Sequence, residues 1–244
     1  MTQDIEMYLV GGAVRDMIRG VKSNDWDFAV VAESYDAMRE WLVANDFEIF
    51  LETPKYFTIR ARAPKEAFQF AGIDFAGSTF DFTLCRKERD YTDGRHPAEV
   101  EVGTLEDDLA RRDFTMNAIA LDVTGVLIDP YGGAQDIEDK IIRCVGGLER
   151  LSEDGLRIMR AIRFWAVLEF NFDPKIHSYL QTRDAVFDLD LVSDDRIRQE
   201  LAKALKANTA DTIIILSELP DISNLIFNTK GLWLEPTSKG NNSK

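Results

Sequence analysis

The chain reads Tyr8-Leu9-Val10-Gly11-Gly12-Ala13-Val14-Arg15-Asp16 and, a few residues on, Asp25-Trp26-Asp27-Phe28-Ala29-Val30-Val31. An apolar β-type run stops at a Gly-Gly turn, a helix follows, and a second strand opens at the acidic pair. Side chains alternate along a strand, so Asp25 and Asp27 are expected to share a face while Trp26 enters the core. Two adjacent carboxylates repel, and a divalent cation with a preference for hard oxygen ligands, Mg²⁺, relieves that repulsion. The Gly-Gly turn opening a helix offers backbone N–H groups to a phosphate. Gly12 lets the phosphate come close, and Arg15, one turn along, reaches its oxygens. Alone, Asp-x-Asp reads as a solvated acidic turn and Gly11-Gly12 as a tight turn. Together at this spacing they point to magnesium-assisted nucleotide chemistry.

Around this core the first half alternates strand-like and helix-like segments. Strands are predicted over 8–10, 28–31, 56–61, 79–85 and 118–123, and a helix over 34–45 with Ser34 as its N-cap. Thr124-Gly125 is a hairpin turn followed by a second arm over 126–129. Asp129-Pro130-Tyr131-Gly132-Gly133 interrupts the pattern. Beyond it the chain reads as helical: one helix over 152–168, one beginning near Pro174, one capped by Ser193 or Asp194 and running to Ala207, and a short one over 209–216. The expected organisation is an α+β head over 1–140, a mixed sheet with helices, and an all-helical remainder over 141–244.

The net charge of −14 excludes a protein that coats nucleic acid non-specifically, because phosphate contacts need Lys and Arg. A local basic groove remains open, since Arg111, Arg112, Arg143, Arg150, Arg157, Arg160 and Arg163 fall close together in sequence. Cys85 and Cys144 have no metal-ligand spacing and read as reduced thiols of a cytoplasmic protein. His96 and His177 are isolated, which argues against a zinc site or a catalytic triad. The N-terminus lacks a signal-peptide core, no apolar run is long enough for a membrane, and only residues 237–244 suggest disorder.

Three further constellations carry chemistry. Asp81, within the alternating Phe80-Asp81-Phe82-Thr83-Leu84, is either a third metal carboxylate or an exposed strand residue. Arg111-Arg112-Asp113-Phe114-Thr115-Met116-Asn117-Ala118 reads as a helix start. Paired arginines in a first turn oppose the helix dipole, a cost that a bound triphosphate would offset. Glu153-Asp154-x-x-Arg157-x-x-Arg160-x-x-Arg163 is either a set of intrahelical ion pairs or the wall of a pocket. In the second case Asp154 accepts from an exocyclic amine and Arg157 donates to a ring nitrogen. Cytosine and adenine satisfy that pair, while guanine and uracil present the opposite order.

These blocks, in this order, resemble the class II CCA-adding tRNA nucleotidyltransferase and bacterial poly(A) polymerase family. Val192-Ser193-Asp194-Asp195-Arg196-Ile197-Arg198-Gln199-Glu200-Leu201 also resembles a helix entry found there, and the resemblance covers about residues 7 to 206. It implies a polymerase-β-like head and a helical neck. It implies that Gly11, Gly12 and Arg15 face the triphosphate and that Asp25 and Asp27 hold Mg²⁺, with Asp81 beside them. Arg111, with Arg112, Asp113 and Asn117 in the same block, would bind the incoming CTP or ATP. Asp154 and Arg157 would read its base, supported by Arg160 and Arg163. The expected reaction adds C and A to a tRNA 3′ end. The alternatives are a poly(A) polymerase, an enzyme adding only CC or only A, and a non-catalytic nucleotide- or RNA-binding module. Family members continue into body and tail domains that grip tRNA, whereas this chain stops soon after the neck. The expectation is either a smaller surface, in a homo-oligomer, that holds the tRNA or a different substrate.

Overall fold

The computed structural model describes residues 5–232 other than 24, 67 and 92–96. His96 and residues 237–244 lie outside the described residues. The chain forms two compact units, residues 1–147 and 148–244.

The first unit runs β1 (Glu6–Val10), α1 (Gly12–Ile18), β2 (Asp27–Val31), α2 (Tyr35–Ala44), β3 (Glu48–Thr53), β4 (Thr58–Arg62), the short hairpin β5 (Gln69–Phe70) and β6 (Ile73–Asp74), then β7 (Thr79–Leu84). It continues with the hairpin β8 (Arg86–Tyr91) and β9 (Pro97–Val102), α3 (Leu105–Ala110), β10 (Ala120–Leu121), β11 (Leu127–Ile128) and α4 (Gly133–Glu138). Seven strands make one mixed sheet in the order β11-β10-β1-β2-β7-β4-β3. Of its neighbours, β2 and β7 run parallel, whereas β1–β2 and β4–β7 run antiparallel. Phenylalanines weld one side of it: Phe28 stacks on Phe82 with centroids 5.4 Å apart and meets Phe70 edge-on at 4.8 Å. Phe47, Phe68, Phe75 and Phe80 complete the cluster.

Several sequence expectations change here. The second strand starts at Asp27, so Asp25 precedes it, in a turn where the Ser23 hydroxyl donates to the Asp25 carbonyl at 3.0 Å. Trp26 is half-buried at the rim, edge-on to Phe75, while the core position belongs to Phe28. The arginine pair does not open a helix. Thr104 and Asp107 form a capping box that starts α3 at Leu105, leaving Arg111 as its C-cap. At that end the helix dipole favours cations, so the arginines carry no dipole penalty.

The second unit contains α5 (Glu149–Glu153), α6 (Leu156–Leu168), α7 (Pro174–Leu180), α8 (Arg183–Asp190), α9 (Asp194–Ala207), α10 (Thr209–Glu218) and α11 (Pro220–Asn224). The single helix expected over 152–168 is two, separated at Asp154-Gly155. Helix α6 buries Ile158, Met159, Ala161 and Ile162, a stripe at helical spacing, and packs against α9. Gly155 is fixed by proximity: a Cβ there would lie 2.1 Å from the Asp188 carbonyl oxygen of α8. Gly155→Ala should therefore lower stability by about 1–3 kcal/mol through overpacking. Thermal unfolding checks this, and an unchanged melting temperature would contradict the close approach.

Candidate active site

Strand register builds the head site. Val10 pairs with Asp27 across β1–β2, Asp27 with Asp81 across β2–β7, and Arg60 with Asp81 across β4–β7. Residues far apart in sequence thus form one row across the sheet, at the end where β1 enters the Gly11 turn. Asp25 joins from the turn before β2. Ligand oxygens of Asp25, Asp27 and Asp81 all lie within 4.8 Å of one another. Burial, then the charges of Asp25 and Asp81, push the Asp27 carboxyl up to about 6, while Arg112 and Arg60 pull it back. The Arg60 guanidinium grips both Asp81 oxygens, the Nε bond measuring 2.6 Å. Three hard oxygen donors this close, with the Asp27 carboxyl pushed up among them, fit a divalent cation.

Gly11 has φ 73°, the left-handed region, which favours glycine. A Cβ on it would stand 3.1 Å from Nη1 of Arg112 and 3.8 Å from Oδ2 of Asp27. The turn, the acidic cluster and one arginine therefore converge. Arg15 is buried on α1; its Nη1 donates to Asn117 Oδ1 at 2.8 Å, and Asn117 Nδ2 donates to Asp113 Oδ1 at 3.0 Å. Asp113 also accepts from the Phe114 backbone N–H at 2.8 Å. This chain ties α1 to the segment after α3. Arg111 and Arg112 both bond to Asp108, a residue 1% exposed.

In the helical unit, the Asp154 carboxylate caps the backbone N–H of Leu156 at 3.1 Å and accepts from Arg196 Nη2 of α9 at 3.1 Å. Arg157 is buried; its Nη1 donates to the Arg150 carbonyl at 2.6 Å and to Glu153 at 3.0 Å. The Arg163 Nε donates to the buried Glu200 at 2.6 Å, and its guanidinium lies 4.2 Å from the Phe164 ring centroid. The Arg160 guanidinium lies 5.4 Å from the same ring. Cys85 and Cys144 are both buried, and no described helix is long and apolar enough to cross a membrane.

Sequence reasoning missed Arg60, Asp108, Arg196 and Glu200. Asp108 was accessible, since it stands three and four positions before the two arginines it holds. The others meet their partners through strand pairing or helix packing, which no local pattern displays.

Residues 7–143 match the family described as Poly A polymerase head domain. The CCA-adding enzyme of Geobacillus thermodenitrificans is 35% identical over 242 residues, covering 94% of this chain and 53% of that enzyme. Among solved structures, the Bacillus stearothermophilus CCA-adding enzyme in complex with CTP superposes with a TM-score of 0.71 at 32% identity, covering 88% of this chain and 48% of that one. The Thermotoga maritima CCA-adding enzyme complexed with tRNA-CCA gives a TM-score of 0.71 at 26% identity, covering 95% and 50%. The chain spans about half the length of the curated relatives it matches.

Proposed function

This chain belongs to the Poly A polymerase head domain family, and from that membership we propose that it adds C and A to the 3′ end of tRNA, releasing pyrophosphate from CTP and ATP. Its α+β head and helical neck have the polymerase-β-like nucleotidyltransferase architecture. The observation that carries the proposal is the convergence of Asp25, Asp27 and Asp81 beside the Gly11 turn.

The RNA 3′-hydroxyl gives up its proton to solvent and its oxygen bonds to the α-phosphorus, while the bond from that phosphorus to the α–β bridging oxygen breaks and that oxygen leaves with pyrophosphate. Asp25 and Asp27, with Asp81 adjacent, would hold magnesium, which lowers the pKa of an attacking hydroxyl and neutralises charge on the departing pyrophosphate. Gly11 and Gly12 leave space for the triphosphate. Arg112 presents a guanidinium at that turn, and Arg15 is oriented by Asn117. Asp154 and Arg157 select the base: an amine beside a ring acceptor satisfies both, and the reverse order sets acceptor against acceptor and donor against donor. The work is done in the cytoplasm on RNA and free nucleotides.

Purified protein with Mg²⁺ should incorporate labelled CTP and ATP into tRNA lacking its terminus, with three nucleotides added when both are supplied. An ATP-only ladder would instead identify a poly(A) polymerase, the activity in the family's description. Stalling after CC or after A would identify a partial enzyme. No incorporation at all would leave a binding module and overturn the proposal.

A further inference from the structure

We propose that Asp108 is a positioning residue, which aims Arg112 across the Gly11 turn as a clamp for the nucleotide triphosphate. The inference rests on the nucleotidyl-transfer reading and adds to it a residue with no contact to the reaction of its own.

Asp108 sits on α3 with its side chain 1% exposed, while the arginines it holds are 22% and 20% exposed. Its two oxygens divide the work. Oδ1 accepts from Nε of Arg111 at 3.0 Å and from its Nη2. Oδ2 accepts from Nε of Arg112 at 3.1 Å and from Nη2 at 2.8 Å. A two-point fork on each planar guanidinium leaves it little rotational freedom. For Arg112 the fork occupies one edge and turns Nη1 outward. That nitrogen donates to the Asn117 carbonyl at 3.2 Å and stands 3.1 Å from where a Gly11 Cβ would be.

One arginine is enough to neutralise a buried carboxylate. Arg112 places further positive charge at the Gly11 turn, partly exposed, where it offsets the Asp27 carboxylate and faces an arriving triphosphate. Burial alone would raise the Asp108 carboxyl, yet Arg112 and Arg111 hold it below the usual carboxylate range, so the anchor stays charged.

The test uses Asp108→Asn, Arg112→Gln and the double variant, with folding confirmed by circular dichroism. Calorimetry measures the dissociation constants of CTP, inorganic tripolyphosphate and CMP. Loss of a charge-assisted fork should weaken CTP and tripolyphosphate by about tenfold or more. CMP should bind as before, and KM for CTP should rise more than kcat falls. The double variant should be no weaker than Arg112→Gln alone, because Asp108 acts through Arg112. If Asp108→Asn does not fold, Asp108→Glu keeps the charge but displaces it by one methylene, and should show the same triphosphate-confined loss. Triphosphate affinity within about twofold of wild type overturns the proposal, as does an equal loss for CMP or full additivity with Arg112→Gln. Protein that shows the Asp108-dependent triphosphate binding yet extends no RNA would overturn the proposed activity alone.

Discussion

Replacing Asp27 with asparagine should raise the melting temperature of the ion-free protein while removing its turnover. Asp27 is pushed from 3.8 to about 6 by burial and by its acidic neighbours Asp25 and Asp81. An acid raised on folding binds more protons in the native state than in the unfolded one, so stability falls as pH rises through that window. Above about pH 6 the ionised group costs the fold up to about 3 kcal/mol, and below about pH 4 the cost is gone. Asparagine removes the charge at nearly constant shape. Its advantage should be full near neutral pH in EDTA and vanish in acid. Magnesium should stabilise wild type and leave the variant unmoved. Turnover should fall by on the order of a thousandfold, the weight of several kcal/mol of transition-state charge stabilisation. The variant would then be a more stable protein without its activity, the trade expected where like charges are held together for use. Unfolding curves with and without chelator, beside an incorporation assay, check both halves. Normal turnover, or a lowered melting temperature near neutral pH, would remove the metal assignment.

What could be read from residues alone follows from how local each feature is. The β1-α1-β2 unit is contiguous, and its apolar runs, glycine turn and acidic pair all lie within about two dozen residues, so pattern reasoning reached it. Ser34 was legible as a cap because its hydroxyl bonds three residues on, to the Ala37 N–H at 3.1 Å. Asp81 stayed ambiguous because only the parallel pairing of β2 with β7 brings it beside Asp27. The arginine pair was assigned to the wrong helix end because the Thr104–Asp107 box, a visible signal, was weighed less than the charges after it. The break at Asp154-Gly155 is masked by the apolar stripe around it: Asp154 leaves the helical region at φ −145° and ψ 102°, and its carboxylate caps the Leu156 N–H. The Asp188 carbonyl that demands a glycine at 155 comes from another helix, which no local pattern displays.

The same distinction bears on Arg163. The spacing of three places it in a row with Arg157 and Arg160, but its Nε bonds to Glu200 of α9 at 2.6 Å, and Glu200 is 4% exposed. Lys203 adds a bond to Glu200 at 2.9 Å. Burial by itself would raise the Glu200 carboxyl; Arg163, Lys203 and Arg160 more than reverse that and hold it below its ordinary value. A depressed acid stabilises the fold above its unfolded pKa and loses that contribution as pH falls through the folded one. Glu200→Ala should therefore cost about 3–5 kcal/mol at neutral pH, because it leaves Arg163 without its partner against the α6–α9 interface. Replacing both residues together, Arg163→Leu with Glu200→Leu, should recover most of that loss, since an apolar pair of similar volume avoids the desolvation of two ions. The double variant should also resist acid better than wild type, and keep the choice of CTP and ATP over GTP and UTP if Arg163 serves packing. Chemical denaturation across pH gives the energies, and single-nucleotide incorporation gives the choice. A double variant as unstable as Glu200→Ala, or one that accepts GTP, would return Arg163 to the base pocket.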